Sequence, residues 1–144
     1  MGTVSELRLP ADREHILVAK RAAAAIGTLA GFDMDAIDDL TIAVAQACEN
    51  AIRCLENSGT LTGQVRIVFK QSDLGLQVNV RSTVNRDAEL RARAEHAEMH
   101  HGGELVAASD LALRLMGLFV DNSTYRVDER TGGLRVRLTK YRAS

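Results

Sequence analysis

One long amphipathic segment, residues 33–56, constrains the fold of this chain more than any other stretch. Its apolar residues recur every three or four positions, which is the spacing of one face of an α-helix. The positions of this apolar stripe are Leu40, Ala43, Val44, Ala47, Ala51 and Leu55. The first turns are rich in aspartate, which the helix dipole favours there. These aspartates are Asp33, Asp35, Asp38 and Asp39.

The chain before this helix predicts an edge strand and a first helix. Residues 6–10 alternate in polarity and end at Pro10, the only proline, as is typical of an edge strand. Asp12 then caps a helix over residues 11–31, and Gly31 ends it. The apolar stripe of this helix consists of Ile16, Ala19, Ala23, Ile26 and Ala30.

Two stretches of alternating polarity predict β-hairpins. Residues 64–70 and 74–81 form the first pair of strands, with a three-residue connection between them. Residues 123–129 and 134–141 form the second pair, joined by a glycine-containing turn. The sheet is therefore expected to contain both hairpins and the edge strand.

The connection between the hairpins contains two predicted features. Residues 84–103 are polar and charged with helical propensity, and they predict a lid-like segment. His96 and His100 stand four positions apart there, with His101 beside them, a spacing that can hold Zn²⁺ or Ni²⁺. The pattern favours a solvated lid helix over a metal site, and a pH-responsive lid is a third alternative. Residues 109–120 then predict another helix.

The element order is therefore β-α-α-β-β-lid-α-β-β, within a single domain spanning residues 1–144. Consecutive helices followed by hairpins are typical of the α+β class. We expect a two-layer α/β sandwich, in which a mixed, mostly antiparallel sheet carries three main helices on one face. The polar lid, with few apolar residues to bury, is expected to be the segment least protected from hydrogen exchange.

The composition narrows the class of partner. The chain is 46% hydrophobic and 26% charged, with a formal net charge of −1. This balance lacks the strongly basic character typical of nucleic-acid-binding domains. No apolar run approaches the ~20 residues of a spanning helix, and the first residues lack the pattern of a signal peptide. We expect a cytoplasmic protein with neither nucleic acid nor membrane as a partner.

The two cysteines agree with a reducing compartment. Cys48 and Cys54 lie six positions apart on the predicted long helix. This separation places them about 240° apart around the helix axis, so they cannot pair with each other. Buried free thiols are the expected state.

The stretch AIDDLTIAVAQACENAI, followed by two hairpins and a final GGLRVRLTKY, resembles a known family. It is similar to the bacterial anti-sigma factors of the serine-protein-kinase type, the RsbW/SpoIIAB-like members of the GHKL, or Bergerat-fold, ATPases. The resemblance runs from about Glu6 to Tyr141. It implies the histidine-kinase-like ATPase fold, with ATP and Mg²⁺ as the family's ligands.

In the resembled family, the long helix carries a glutamate that acts as general base and, four residues later, an asparagine that ligates Mg²⁺. Here the asparagine position is Asn50 and the glutamate position is Gln46. A carboxamide cannot take up a proton at neutral pH, so Gln46 cannot be a general base. The resemblance thus implies a nucleotide-pocket position for both residues, but the general base of the family is missing.

Three further pocket motifs of the family depart in this chain. Ser82 occupies the position of the aspartate that accepts the adenine amino group, and no glycine follows it. Asp110 and Ala112 occupy the glycines of the phosphate-binding turn, and Asp110 is expected to cap the helix with its own carboxylate. Leu134 replaces the Thr or Ser that follows the hairpin glycine. We therefore expect ATP or ADP binding with Mg²⁺ to be weak or absent.

The sequence is compatible with three functions. The first is an anti-sigma regulator that holds a sigma factor, is released by a STAS-type antagonist protein and forms a homodimer, all implied by the resemblance. The second is an active ATP-dependent kinase that phosphorylates a serine of the antagonist. The third is a scaffold without a sigma factor. Lys20 and Arg21 on the first helix are candidate partner-binding residues, with a solvated helix face as their alternative.

Overall fold

The structure, a computed structural model, describes residues 2–60, 62–84, 86–95, 114–127 and 133–142. The described strands are β1 (Thr3–Pro10), β2 (Gln64–Gln71), β3 (Gly75–Thr83), β4 (Asn122–Val127) and β5 (Leu134–Tyr141). The described helices are α1 (Ile16–Leu29), α2 (Met34–Asn57) and α3 (Arg86–Glu95), with 3₁₀ turns at Arg13–His15 and Gly117–Phe119. Residues 114–116 are also helical and are the described start of the helix predicted over residues 109–120. The predicted α+β class is confirmed.

The strands form one five-stranded sheet in the order β1-β2-β3-β5-β4. Every described pairing is antiparallel. This agrees with the expectation of a mostly antiparallel sheet, and no parallel pair is present among the described strands. β1 lies at one edge, and its last residue, Pro10, pairs with Gln64 at the end of the ladder. This is the position predicted for the proline, since a residue without an N–H interrupts a central strand.

The core lies between one face of the sheet and the helices. Alternate residues of β2, namely Val65, Ile67 and Phe69, are buried, which is the period-2 pattern of a half-buried strand. α2 contacts β2, β3 and β5, and α1 packs along α2. The fold is therefore a two-layer sandwich, as expected, and the opposite face of the sheet carries mostly polar side chains.

The helix ends are set by capping side chains. Asp33 accepts a hydrogen bond from the N–H of Ala36 at 2.8 Å and fixes the start of α2. Asp12 accepts from the N–H of His15 at 3.1 Å, but the cap belongs to a 3₁₀ turn, so α1 begins later than the sequence predicts. Gly31 follows α1 with φ of +85°, a left-handed conformation that favours glycine.

The described part of the predicted lid is α3. Its Glu89 is buried and accepts hydrogen bonds from both the N–H and the hydroxyl of Thr62, each at 2.7 Å. A side chain of α3 is therefore anchored to the turn before β2, a contact that the polar composition of the segment does not predict. The rest of the 84–103 segment lies outside the described residues, and its hydrogen exchange stays a prediction.

Cys48 and Cys54 are both free and buried, as predicted. Burial raises the pKa of the Cys48 thiol to about 12, which keeps it protonated and unreactive at neutral pH. None of the helices in the described ranges is long and apolar enough to cross a membrane.

Candidate functional site

The long helix α2 places Gln46 and Asn50 one turn apart, on the same side of its axis. Asn50 is only 3% exposed, although an asparagine is usually a surface residue. Gln46 is half-buried, and its Oε1 atom is enclosed with no hydrogen-bond partner among the described residues. Both carboxamides thus point away from bulk solvent, which fits a pocket position better than a solvated helix shoulder.

Ser82 lies at the inner face of β3 and is 9% exposed. Its hydroxyl donates a hydrogen bond to the backbone carbonyl of Ala51, the residue after Asn50, at 3.0 Å. The same oxygen accepts the backbone N–H of Leu134, the first residue of β5, at 3.2 Å. One side chain therefore ties α2, β3 and β5 together, and this internal role is not apparent from the sequence.

Recognition of the adenine amino group needs an acceptor, and in the resembled kinases a carboxylate supplies it. The Ser82 hydroxyl carries no charge, and its proton and one lone pair are already used within the fold. Compared with a carboxylate, the residue present offers an adenine amino group only one uncharged lone pair.

Next to Ser82, the described residues border a cavity of about 190 Å³, which is lined by residues 81–84 and by Gly133, Leu134 and Arg135. Gln46 and Asn50 of α2 do not line this cavity. Leu134 itself is 1% exposed and belongs to the hydrophobic core.

Glu49 is the one carboxylate next to Asn50 in the sequence, and it does not replace the missing base. Its Oε1 atom accepts from Arg13 Nε at 2.9 Å and from Arg53 Nη2 at 3.4 Å. Around the helix axis Glu49 lies about 60° from Gln46 and about 100° from Asn50, but its carboxylate is held by Arg13 and Arg53. Its position between two arginines makes it a surface ion-pair residue.

Several predicted site residues lie outside the described residues. These are Asp110 and Ala112 of the phosphate-binding turn and the histidines His96, His100 and His101. Their roles therefore stay predictions. Within the described ranges, no three His, Cys, Asp or Glu side chains are grouped so that they could hold a metal ion.

The two candidate partner-binding residues lie on a different element. Lys20 and Arg21 are both exposed on α1. Leu17 and Val18, one turn earlier, expose 52% and 43% of their surface. Residues 17, 20 and 21 share one helix face, so an apolar side chain and two cations stand together there.

Sequence reasoning missed the structural role of Ser82, although one signal was present. Val78 and Val80 alternate with polar residues along β3, and Ser82 continues the buried set. A hydroxyl at an inward-facing strand position is expected to be buried and therefore hydrogen-bonded. The strand period thus indicates burial, but it does not identify the carbonyl of Ala51 as the partner.

Comparison with known proteins agrees with this fold. The family model described as "Histidine kinase-like ATPase domain" matches residues 9–140. A serine-protein kinase RsbW of Bacillus cereus (strain AH187) is 27% identical over 138 residues, covering 94% of this chain and 83% of that protein. The serine-protein kinase RsbW of Listeria innocua is 28% identical over 138 residues, covering 94% and 85%. The chain belongs to the histidine kinase-like ATPase domain family, and the resemblance implied by its sequence is confirmed.

Proposed function

We propose that this protein is an anti-sigma-factor-type regulator that works by binding rather than by phosphoryl transfer. It sequesters a sigma factor and is released by a STAS-type antagonist protein. The observation that carries the proposal is the Ser82 hydroxyl, which is bonded to Ala51 and Leu134 where the resembled kinases recognise adenine. The chain's similarity to proteins named serine-protein kinase RsbW supports the proposed class of regulator.

Loss of kinase chemistry is supported by Gln46. A general base contributes about 10²–10⁴-fold to the rate of proton transfer reactions. Gln46 has no titratable group, and the neighbouring carboxylate of Glu49 is held by Arg13 and Arg53. A chain with this arrangement retains the family fold while lacking the residue that would activate a substrate serine.

An active kinase is the second candidate, and Asn50 favours it. Its carboxamide oxygen is a suitable Mg²⁺ ligand, and it is buried on the side of α2 that also carries Gln46. In this alternative Asn50 holds the metal of a bound ATP. The two candidates differ in whether label from γ-labelled ATP reaches the antagonist.

The proposed sigma-binding surface is the exposed face of α1. Leu17 supplies an apolar contact, and Lys20 and Arg21 supply cations beside it. Protein interfaces commonly combine an apolar centre with a polar, charged rim. An acidic surface on the sigma factor would complement this face.

A binding experiment tests the proposal. Each sigma factor encoded by the source genome is presented to the immobilised protein, with and without ATP and Mg²⁺. We expect one sigma factor to bind, with an affinity that nucleotide does not change, and the STAS-type antagonist to compete with it. Lys20→Glu with Arg21→Glu should weaken the complex at least tenfold, because like charges would face the acidic partner.

Matched surface variants control for charge. Arg81→Glu with Arg135→Glu changes the net charge by the same amount on the opposite face of the sheet and should leave sigma binding unchanged. Failure of every sigma factor to bind would exclude the anti-sigma function and leave the scaffold alternative. Transfer of phosphate to the antagonist would establish the kinase instead.

A further inference from the structure

The face of the sheet that points away from the helices carries a row of five arginines, one from each strand. Arg8 of β1 is directly opposite Arg66 of β2, and Arg66 is opposite Arg81 of β3. Arg81 is opposite Arg135 of β5, which in turn is opposite Arg126 of β4. With strands ~4.8 Å apart, the row spans about 19 Å across the whole sheet.

This row is unfavourable for the free protein, because like charges directly opposite each other on neighbouring strands repel. The rest of the face adds to the charge. Its cationic strand positions are Arg8, Arg66, Lys70, Arg81, Arg126, Arg135 and Arg137. Among the paired positions of the described strands on this face, Glu6 is the one acidic residue. A protein of net charge −1 thus concentrates positive charge on one side.

Glu6 shows how a carboxylate fits this row. Its Oε1 atom accepts from Arg8 Nε at 2.9 Å and from Arg66 Nε at 2.8 Å. Its Oε2 atom accepts from Arg66 Nη2 at 3.1 Å, which makes the pair with Arg66 bidentate. One acidic side chain therefore bridges two neighbouring arginines of the row and offsets their repulsion.

The other half of the row has no such carboxylate among the described residues. Arg81, Arg126 and Arg135 are exposed and form no ion pair there. A surface depression of about 310 Å³ lies beside two of them and is lined also by Arg137 and Asn79. Arg137 Nε donates to Asn79 Oδ1 at 3.3 Å, which holds that guanidinium at the edge of the depression.

We infer that this face is a second binding surface, which takes an acidic segment of a partner protein across Arg81, Arg135 and Arg126. Carboxylates of the partner occupy the gaps between these arginines as Glu6 occupies the gap between Arg8 and Arg66. The surface lies on the opposite side of the molecule from α1 and α2, and the inference does not depend on the function proposed above.

Two other occupants are disfavoured. A second copy of the same face would bring two arginine rows together and increase their repulsion. A single-stranded nucleic acid is usually held by aromatic stacking as well as by charge. Tyr141, at one end of β5, is the one aromatic residue at the paired strand positions of this face, and Tyr125 of β4 also lines the depression beside Arg126 and Arg135. Arg8, Arg66 and Arg81 have no aromatic partner at the strand positions directly opposite them. An acidic protein segment brings no like charge to the row and needs no aromatic stacking.

Fluorescence anisotropy with a labelled deca-glutamate peptide tests the inference, with a ten-nucleotide oligothymidine as the competing probe. We expect the peptide to bind the full chain at low salt and to bind more tightly than the oligonucleotide. Arg81→Glu with Arg135→Glu should weaken peptide binding at least tenfold, because it reverses two charges in the free half of the row. Circular dichroism melting confirms that the variant is folded.

The matched control is Arg91→Glu with Arg114→Glu, which changes the net charge equally at two exposed positions on helical segments outside both proposed surfaces. It should alter peptide affinity less than twofold. If both double variants weaken peptide binding equally, the effect depends only on net charge, and the inference is overturned. Tighter binding of the oligonucleotide would assign the face to nucleic acid instead, and absence of peptide binding at millimolar concentration would also overturn it.

Discussion

The side-chain oxygen of Ser82 accepts the backbone N–H of Leu134 at 3.2 Å while its proton is donated to the carbonyl of Ala51. The two bonds connect three elements at the place where a nucleotide-binding relative needs an open acceptor. A ligand group cannot take these bonds without unpairing two buried backbone groups. The position implied for ligand recognition has thus become part of the fold's own hydrogen bonding.

Ser82→Ala is expected to destabilise the protein by about 1–3 kcal/mol, because it leaves the buried Ala51 carbonyl and Leu134 N–H without their partner. Urea denaturation followed by circular dichroism measures the change. Thr83→Ala is the matched control, since its hydroxyl makes a longer bond, 3.4 Å to the Gln64 carbonyl, at a more accessible position. Equal losses in the two variants would show that the Ser82 bonds contribute nothing specific.

Gln46→Glu is expected to leave phosphoryl transfer undetectable, although it restores the family's general base. The adenine position at Ser82 departs as well, so a base alone has no positioned ATP to act on. The assay follows label from γ-labelled ATP to the proposed antagonist protein, with the serine-protein kinase RsbW of Listeria innocua as the positive control. Activity in the variant would show that the pocket still positions ATP.

Glu6 gives the protein a specific acid sensitivity. Hydrogen bonds from Arg66 and then Arg8 lower the pKa of its carboxyl from the ordinary 4.5 to about 2. A depressed carboxylate stabilises the fold above pH 4.5, and this contribution is lost as the pH falls towards 2. Glu6→Gln should therefore lower Tm at neutral pH, and its difference from the parent protein should shrink between about pH 4.5 and 2. A difference that stays constant with pH would contradict this assignment.

Arg81→Glu is expected to raise the free energy of unfolding by about 0.2–1 kcal/mol, because it places a carboxylate between Arg66 and Arg135 in the row. Most surface substitutions lie within about 0.5 kcal/mol of zero or destabilise. Thermal melting at low and high salt measures the gain, which should decrease as salt screens the charges. Lys20→Glu serves as the control, and a loss of stability in Arg81→Glu would argue against repulsion along the row.

The elements that sequence patterns predicted best are those bounded by glycines or by helix-capping residues. The strand predicted over residues 134–141 follows a Gly-Gly pair and is observed as Leu134–Tyr141. The long helix begins where its aspartates indicate, with Asp33 as N-cap. The start of α1 was less predictable, because Asp12 caps a 3₁₀ turn as readily as an α-helix.

The site was predicted only in part, because its contacts join distant residues. Burial of Asn50 agrees with a pocket position, but the bond between Ser82 and Ala51 spans 31 residues and has no local pattern. The anchoring of Glu89 by Thr62 likewise spans 27 residues. The arginine row depends on strand register, which a list of arginines in sequence does not contain.

Titration calorimetry with ADP and Mg²⁺ on the unmodified protein tests most directly whether nucleotide binding has been lost. Because the Ser82 hydroxyl is already bonded to Ala51 and Leu134, we expect no saturable heat of binding up to millimolar nucleotide and no increase in Tm. A ligand at about 100 times its Kd would add roughly 2.7 kcal/mol to the stability, a shift that melting detects readily. A micromolar Kd for ADP would contradict the claim that the nucleotide site is lost.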